Sequence, residues 1–212
     1  MKRILVVADP IGGDQKVIDR AVELARSLKA ELQIAGFVYE HIANLPAGDD
    51  AISADKIHEQ LLTTHRKEIQ KKFREAKAKG RSIPCSVDVH WEKRVADWVI
   101  DRCAAERIDL VVKAAHRSET FMYTSTDWQL LRGCRASVML VAGKRWKRSE
   151  NVLAAVDLGT KTASKKALNF KVAAEAFALA QSLQTSLIIS YALPVSRVLR
   201  DLDIIDEKEL RN

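Results

Sequence analysis

Hydrophobic positions follow two alternating patterns over the first two thirds of the chain. A short apolar run, as at residues 3–8, is typical of a strand buried on both faces, and residues 32–38 are predicted as the next strand. Between and after them, apolar residues recur at helical spacing, over residues 14–28 and again over residues 53–79. Strands that alternate with helices predict an α/β fold with a parallel sheet and right-handed crossovers.

The next segments complete this pattern. Residues 83–91 alternate between apolar and polar side chains, which is typical of an edge strand with one wet face. A helix is predicted over Val95–Glu106, and residues 109–141 follow as strand, loop, short helix and strand. The order is therefore five strands linked by helices, with the last strand apolar on both faces.

The beginning of the chain recurs later in the sequence. Residues 151–157 resemble residues 3–9, and residues 176–183 resemble residues 21–28. Self-similarity at this scale predicts two copies of one fold. We therefore expect a complete domain over 1–143, a charged linker over 144–150, and over 151–212 the first part of a second copy, in a tandem protein that is cut short.

Composition fits a globular chain outside a membrane. Of the 212 residues, 47% are hydrophobic and 30% are charged, so a sizeable core can form. No apolar run approaches the roughly 18–20 residues that cross a bilayer, and the start lacks a signal-peptide pattern. A cytoplasmic protein is expected.

The net charge of +7 favours anionic partners only weakly. Eight basic residues fall within 66–81, but Glu68 and Glu75 interrupt them, as on a solvated helix face. Aromatic residues that could stack on bases are not interleaved with them. Nucleic-acid binding is therefore not predicted, whereas a small anionic ligand is compatible with the charge.

Groups that could carry catalysis or hold a metal are not evident in the sequence. Cys85, Cys103 and Cys134 are odd in number and widely spaced, and we expect them to be small core residues rather than a disulfide framework or a zinc site. His65 falls on the apolar face of its helix, where a structural histidine is expected. Without a Ser/His/Asp order or paired carboxylates, an enzyme is not predicted.

Three segments resemble the universal stress protein family. Residues 109–117, Asp-Leu-Val-Val-Lys-Ala-Ala-His-Arg, resemble its Asp-Leu-Ile-Val-Met-Gly-Ser-His-Gly signature, and residues 135–141 resemble its closing strand. Residues 124–128, Thr-Ser-Thr-Asp-Trp, resemble the Thr-Pro-Thr-Asp-Trp of its tandem-domain, E-type members. The resemblance implies a doubly wound, adenine nucleotide alpha-hydrolase-like sheet of strand order 3-2-1-4-5. It also implies a role in stress response as a regulator or binding scaffold.

The phosphate-binding loop of that family is degenerate in this sequence. Nucleotide-binding members have Gly-x2-Gly-x9-Gly-Ser/Thr, whose backbone N–H groups wrap the phosphates. Here Ala114 and Arg117 occupy the first two glycine positions, the gap is shortened from nine residues to six, and only Ser125 fits. A Cβ at a left-handed position costs roughly 1–2 kcal/mol. We expect a vestigial nucleotide site with no bound cofactor.

The resemblance also indicates which residues would form that site. They are Asp9, Pro10, Val38, Ala114, His116, Arg117 and Ser125, with Asp157 as the second copy's equivalent of Asp9. Lys113 and Arg117 could add point charges for an anion. Three hypotheses stay open: a scaffold that has lost nucleotide binding, an ATP-binding or slowly ATP-hydrolysing stress protein, and a carrier of another small molecule.

Two further expectations concern order and assembly. The loop with Lys113, His116 and Arg117 is expected to be mobile, because it lacks the ligand that would order it. The last strand of the first domain is apolar although the strand order places it at the sheet edge. A homodimer that pairs through this strand, from Val138 to Val141, is therefore predicted.

Overall fold

The computed structural model describes residues 1–8, 14–40, 54–78, 80, 82–115, 125–142 and 151–192. The strands are β1 (Arg3–Ala8), β2 (Glu31–Val38), β3 (Cys85–Trp91), β4 (Leu110–Ala114), β5 (Ser137–Val141), β6 (Val152–Val156) and β7 (Leu187–Tyr191). The helices are α1 (Asp14–Leu28), α2 (Ala54–Lys77), α3 (Val95–Glu106), α4 (Thr126–Gly133) and α5 (Ala163–Leu183). The chain divides into two compact units, Met1–Arg145 and Trp146–Asn212.

The first unit contains a five-stranded parallel sheet in the order β3-β2-β1-β4-β5. Val6 of β1 is in register with Ile34 of β2 on one side and with Val112 of β4 on the other. The predicted doubly wound fold and its strand order are confirmed. β1 lies at the centre, which explains why only its first residue, Arg3, is exposed.

Alternate residues of the central strands face two different helix layers. On one face, Leu5, Val7 and Val111 join a buried cluster with Val99 of α3 and Leu130 of α4. On the other face, α1 and α2 cover the sheet. Because both faces of the strands are covered, their sequences are continuous apolar runs rather than alternating ones.

Helix α2 approaches β2 most closely at Gly36. A Cβ placed there would lie 2.5 Å from Ile69 Cδ1 and 3.0 Å from His65 Cδ2. Glycine is therefore required for space, not for backbone conformation. His65 is only 8% exposed, as predicted for a structural histidine, and its Nδ1 lies 3.8 Å from a carboxylate oxygen of Glu68.

Asp109, the first residue of the 109–117 signature, links the start of β4 to the start of β1 through hydrogen bonds. Asp109 Oδ2 accepts hydrogen bonds from the backbone N–H groups of Lys2, at 2.5 Å, and Arg3, at 3.1 Å. Partial burial opposes the charged form, but these N–H donors and the nearby charges of the N-terminus and Lys2 outweigh it, so the pKa of Asp109 is lowered. The carboxylate thus has a structural role at the start of β1.

Aromatic side chains form a cluster around His90 of β3, the strand at one edge of the sheet. The ring of His90 lies 4.4 Å, between centroids, from that of Trp98 on α3 and 5.9 Å from that of Phe37 on β2. Phe37 and Trp98 in turn meet edge to face at 5.1 Å. The partly buried imidazole of His90 therefore packs against two aromatic rings.

Burial lowers the pKa of His90. The carboxylate of Asp88 opposes this shift, whereas the charges of Arg102 and Arg66 add to it. The folded protein therefore favours the neutral imidazole more strongly than the unfolded chain does.

Replacing His90 with glutamine should weaken the acid sensitivity of the first unit. Between neutral pH and the lowered pKa of the folded state, the unfolded chain binds a proton at His90 more readily than the folded protein does. Stability therefore falls as the pH drops below about 6.5, the ordinary pKa of histidine. Urea unfolding midpoints at about pH 7.5 and about pH 5.5 measure this fall. We expect a smaller fall in His90→Gln than in the wild type, and equal falls would contradict the prediction.

The second unit consists of a parallel pair of strands and one helix. Val152 of β6 is in register with Leu187 of β7, and α5 packs on both strands. Gln184, the residue that follows α5, has a positive φ of 53°. Lys29, the residue that follows α1 in the first unit, has a φ of 54°. Thr185 N–H donates to the carbonyl of Ala180 in the same way that Ala30 N–H donates to that of Ala25.

Large apolar side chains of this second unit are exposed on both its strands and its helix. Those at least 45% exposed include Leu153, Leu168, Phe170, Phe177, Ile188 and Ile189. A two-stranded sheet has little stability in isolation. Exposed apolar surface of this extent is typical of a surface that contacts other protein.

Over the residues that the structure describes, none of the helices combines the length and the apolar composition that a membrane span requires.

Candidate functional site

The candidate site lies where the carboxyl ends of β1 and β4 meet. β2 lies on one side of β1 and β4 lies on the other, so the order of the strands reverses direction at β1. In doubly wound sheets a crevice opens at such a point. Of the predicted site residues, Asp9, Pro10, His116 and Arg117 lie outside the described residues. Their predicted roles therefore stay predictions.

Two of the predicted residues end strands at this edge. Val38 is the last residue of β2, and its carbonyl accepts a hydrogen bond from the N–H of Glu92 at 3.1 Å. Ala114 is the last residue of β4 and is in register with Val141 of β5. The strand pairing goes on past Ala114, since the N–H of Ala115 donates to the carbonyl of Val141 at 3.0 Å.

Ser125 caps the N-terminus of α4. Its Oγ accepts a hydrogen bond from the N–H of Trp128 at 3.4 Å, and its carbonyl accepts one from the N–H of Gln129 at 3.1 Å. Serine is a preferred residue at this position because its hydroxyl satisfies a free N–H of the first turn. The 124–128 segment is thus, from Ser125 onward, the start of a helix.

A buried ion pair joins β4 to α4 next to this cap. Lys113 Nζ lies 3.1 Å from Asp127 Oδ1, and the two residues are only 4% and 7% exposed. Lys113 Nζ also donates to the carbonyl of Ala114 at 3.1 Å. The expectation that Lys113 belongs to a mobile loop and offers its charge to an anion is wrong, because it lies in β4 and its ammonium group faces a carboxylate of the same chain.

Asp127 lies in the first turn of α4, where the helix end carries partial positive charge. Phosphate groups of ligands bind at such helix ends for the same electrostatic reason. Here the carboxylate of Asp127 lies in that first turn and pairs with Lys113.

The types of the two residues are the signal of this pair in the sequence. Lys113 is the one charged residue in an otherwise apolar strand, and a lysine in a buried strand requires a counter-charge. Asp127 is the acidic residue of the 124–128 segment. Reading these two requirements together would have predicted the contact.

The corresponding strand end in the second unit is organised around Asp157. Its backbone N–H donates to Asn169 Oδ1 at 3.0 Å, and its carbonyl accepts from Asn169 Nδ2 at 2.7 Å. A Cβ at Gly159 would lie 2.5 Å from the hydroxyl oxygen of Tyr191, so glycine is needed there for space. Asn169 and Tyr191 were not identified from the sequence.

Metal binding is not indicated by the geometry. Within the ranges that the structure describes, His, Cys, Asp and Glu side chains form no group of three or more that could hold a metal ion.

The strand order and the crevice above β1 and β4 define a doubly wound α/β protein with its ligand edge at the carboxyl ends of the strands. The model of the universal stress protein family matches residues 1–142, and the chain belongs to that family.

Two similar relatives, both named universal stress protein E, come from Salmonella typhi and Escherichia coli strain K12. Each is 32% identical to this chain over 205 and 206 residues respectively, which is 93% of the chain. The chain spans 63% of the length of either relative. What the whole of a longer protein does is therefore a matter for proposal.

Solved structures show the same fold at lower identity. A protein from Pseudomonas aeruginosa UCBPP-PA14 aligns with 96% of this chain and 66% of its own, with a TM-score of 0.61 and 19% identity. The universal stress protein UspA from Lactobacillus plantarum aligns with 66% of this chain and 97% of its own, with a TM-score of 0.50 and 18% identity.

Proposed function

We propose that this protein acts in the bacterial stress response as a non-catalytic regulator or binding scaffold whose first unit has lost nucleotide binding. The observation that carries the proposal is the buried pair of Lys113 and Asp127 at the start of α4. Membership of the universal stress protein family supports the stress role. The loss of nucleotide binding rests on three features of the site.

The first feature is the carboxylate of Asp127. It occupies the first turn of α4 and would repel the phosphate groups of a nucleotide. To admit phosphates, the helix would have to release Asp127 from Lys113, which leaves two buried charges without partners. Binding would therefore have to offset that cost as well.

The second feature is the backbone after β4. A phosphate loop needs N–H groups that point into the crevice, but the N–H of Ala115 is used in the strand ladder with Val141. The third feature is Ala114, which stands at the first glycine position of the family loop. Its Cβ takes up space that a glycine would leave open. Together these features oppose the backbone cradle that anion binding requires.

We also propose that the protein is not an enzyme. The described charged groups at the site, Lys113 and Asp127, are held against each other, so neither is placed to exchange a proton with a substrate. A regulator that presents a surface to a partner does not need such groups.

Calorimetric titration with Mg-ATP tests the loss of nucleotide binding. We expect a dissociation constant weaker than about 100 μM, since low-micromolar binding requires about −8 kcal/mol that isolated side-chain contacts do not supply. A tighter constant would contradict the proposal and support the alternative of an ATP-binding stress protein.

The variant Asp127→Asn tests the observation that carries the proposal. It keeps the size of the side chain but removes the competing charge, and we expect ATP to bind about fivefold more tightly than to the wild type, equivalent to ~1 kcal/mol. Asp97→Asn is the matched control, because Asp97 lies in the first turn of α3, away from the site. An unchanged affinity in Asp127→Asn would show that the carboxylate is not what excludes the nucleotide.

We further propose that two copies of the chain associate through β5. This strand ends the five-stranded sheet, and among the described strands it pairs with β4 alone. All five of its residues are partly exposed, although four of them are apolar. An apolar edge strand of this kind pairs readily with another strand.

A further inference from the structure

Helices α3 and α4 pack tightly against each other at the end of α4. A Cβ placed on Gly133 would lie only 2.6 Å from Ile100 Cδ1, so the two helices touch there without room for a side chain. Cys134 directly follows Gly133, and Cys103 lies one turn after Ile100 on the same face of α3. This contact brings the side chains of Cys103 and Cys134 within hydrogen-bonding reach of each other.

The two thiols differ in their access to solvent. Cys103 is 4% exposed and belongs to the buried cluster of the first unit, together with Val99 and Leu130. Cys134 packs against the edge of that cluster and is only partly buried. All three cysteines of the chain are free thiols, and the third, Cys85, lies on β3, which the sheet order places at the opposite edge from β5.

The difference in burial fits different roles for the two sulfurs. Burial raises the pKa of the Cys103 thiol to about 12, and a hydrogen bond with Cys134 adds to the rise. Cys103 therefore keeps its proton at neutral pH. Since thiolates at accessible positions react first, oxidation would begin at Cys134, with Cys103 as the thiol behind it.

We propose that Cys103 and Cys134 form an oxidation-sensitive dithiol that hydroperoxides convert into an intramolecular disulfide. The Cys134 thiolate attacks one oxygen of hydrogen peroxide, the O–O bond breaks, and hydroxide leaves to take up the proton that Cys134 released. The sulfur of Cys103 then attacks the resulting sulfenic acid, the S–O bond breaks, and the hydroxyl group leaves as water with the proton of Cys103.

The reaction is balanced, because two thiols and one hydrogen peroxide give one disulfide and two water molecules. Both sulfurs are oxidised and the peroxide oxygens are reduced. The product would join α3 covalently to the turn between α4 and β5. Disulfides that form transiently in a reducing compartment are usually catalytic or redox-sensing, and the proposal does not depend on whether the first unit binds nucleotide.

Treating the full chain with hydrogen peroxide tests the dithiol. In the wild type, the count of free thiols should fall from three to one, and the intact mass should fall by two hydrogen atoms. Peptide mapping without reductant should show Cys103 joined to Cys134, and dithiothreitol should restore all three thiols. Cys85→Ser is the matched control and should form the same bond.

Single variants separate the two roles. Cys103→Ser should stop at a sulfenic acid on Cys134 that dimedone traps, whereas Cys134→Ser should form no disulfide within the chain. Circular dichroism verifies that each variant is folded before treatment. A disulfide between chains, a bond that includes Cys85, or three free thiols after treatment of the wild type would overturn the proposal.

Discussion

Replacing Asp127 with alanine should lower the free energy of unfolding of the first unit by about 3–5 kcal/mol. The ammonium of Lys113 is 4% exposed and lies 3.1 Å from the Asp127 carboxylate, so the substitution leaves a positive charge buried without its counter-charge. Loss of a carboxylate from the first turn of α4 adds a smaller term of the same sign. Urea unfolding followed by tryptophan fluorescence measures the change.

Asp97→Ala is the matched control for this substitution. Asp97 also lies in the first turn of a helix and pairs with Arg94 at 3.5 Å, but the two side chains are 55% and 80% exposed. An exposed pair contributes about 0–1 kcal/mol, so the control should change stability little. Equal effects of Asp97→Ala and Asp127→Ala would contradict the assignment of a buried ion pair.

The double variant Lys113→Met with Asp127→Leu distinguishes the pair from its members. Replacing a buried ion pair by apolar residues of similar volume is often neutral or stabilising, because the desolvation cost of both charges disappears. We expect the double variant to recover most of the stability lost in Asp127→Ala. If it is as unstable as Asp127→Ala, the cost comes from packing and not from the charge.

The sheet was predictable from sequence because its signals are local. A continuous apolar run identified β1 as a central strand, and alternation over residues 83–91 identified β3 as an edge strand. The predicted long helix, 53–79, differs from the observed α2, Ala54–Lys77, by one residue at the start and two at the end. Such differences are normal for helix ends.

The candidate site was less predictable because its contacts join distant parts of the chain. Periodicity places Lys113 on a strand and Asp127 on a helix, but it does not say that they meet. The same holds for Cys103 and Cys134, which look unrelated in sequence and touch only because Ile100 packs on Gly133. Packing between elements that are distant in sequence decides both contacts, and it is not a property of any single segment.

Replacing Met139 with lysine should convert the proposed dimer into a monomer. Met139 is the middle residue of β5, in register with Val112 of β4. A lysine on an edge strand opposes pairing, since its charge would have to be desolvated in the new interface and repels the same residue of a partner across a two-fold axis. We expect the dissociation constant to rise by at least about a hundredfold, which corresponds to ~3 kcal/mol.

Light scattering measures the change in mass. The protein concentration should be tens of micromolar, by order of magnitude the range that suits a dimer with an association free energy of about −7 kcal/mol. Ser86→Lys is the matched control, because Ser86 is exposed on β3, the strand at the opposite edge of the same sheet. This control should leave the dimer intact, since Ser86 lies at the opposite edge of the sheet from β5. Thermal unfolding by circular dichroism separates loss of association from loss of fold. A monomeric wild type, or a Met139→Lys protein that associates as the wild type does, would show that β5 is protected in another way.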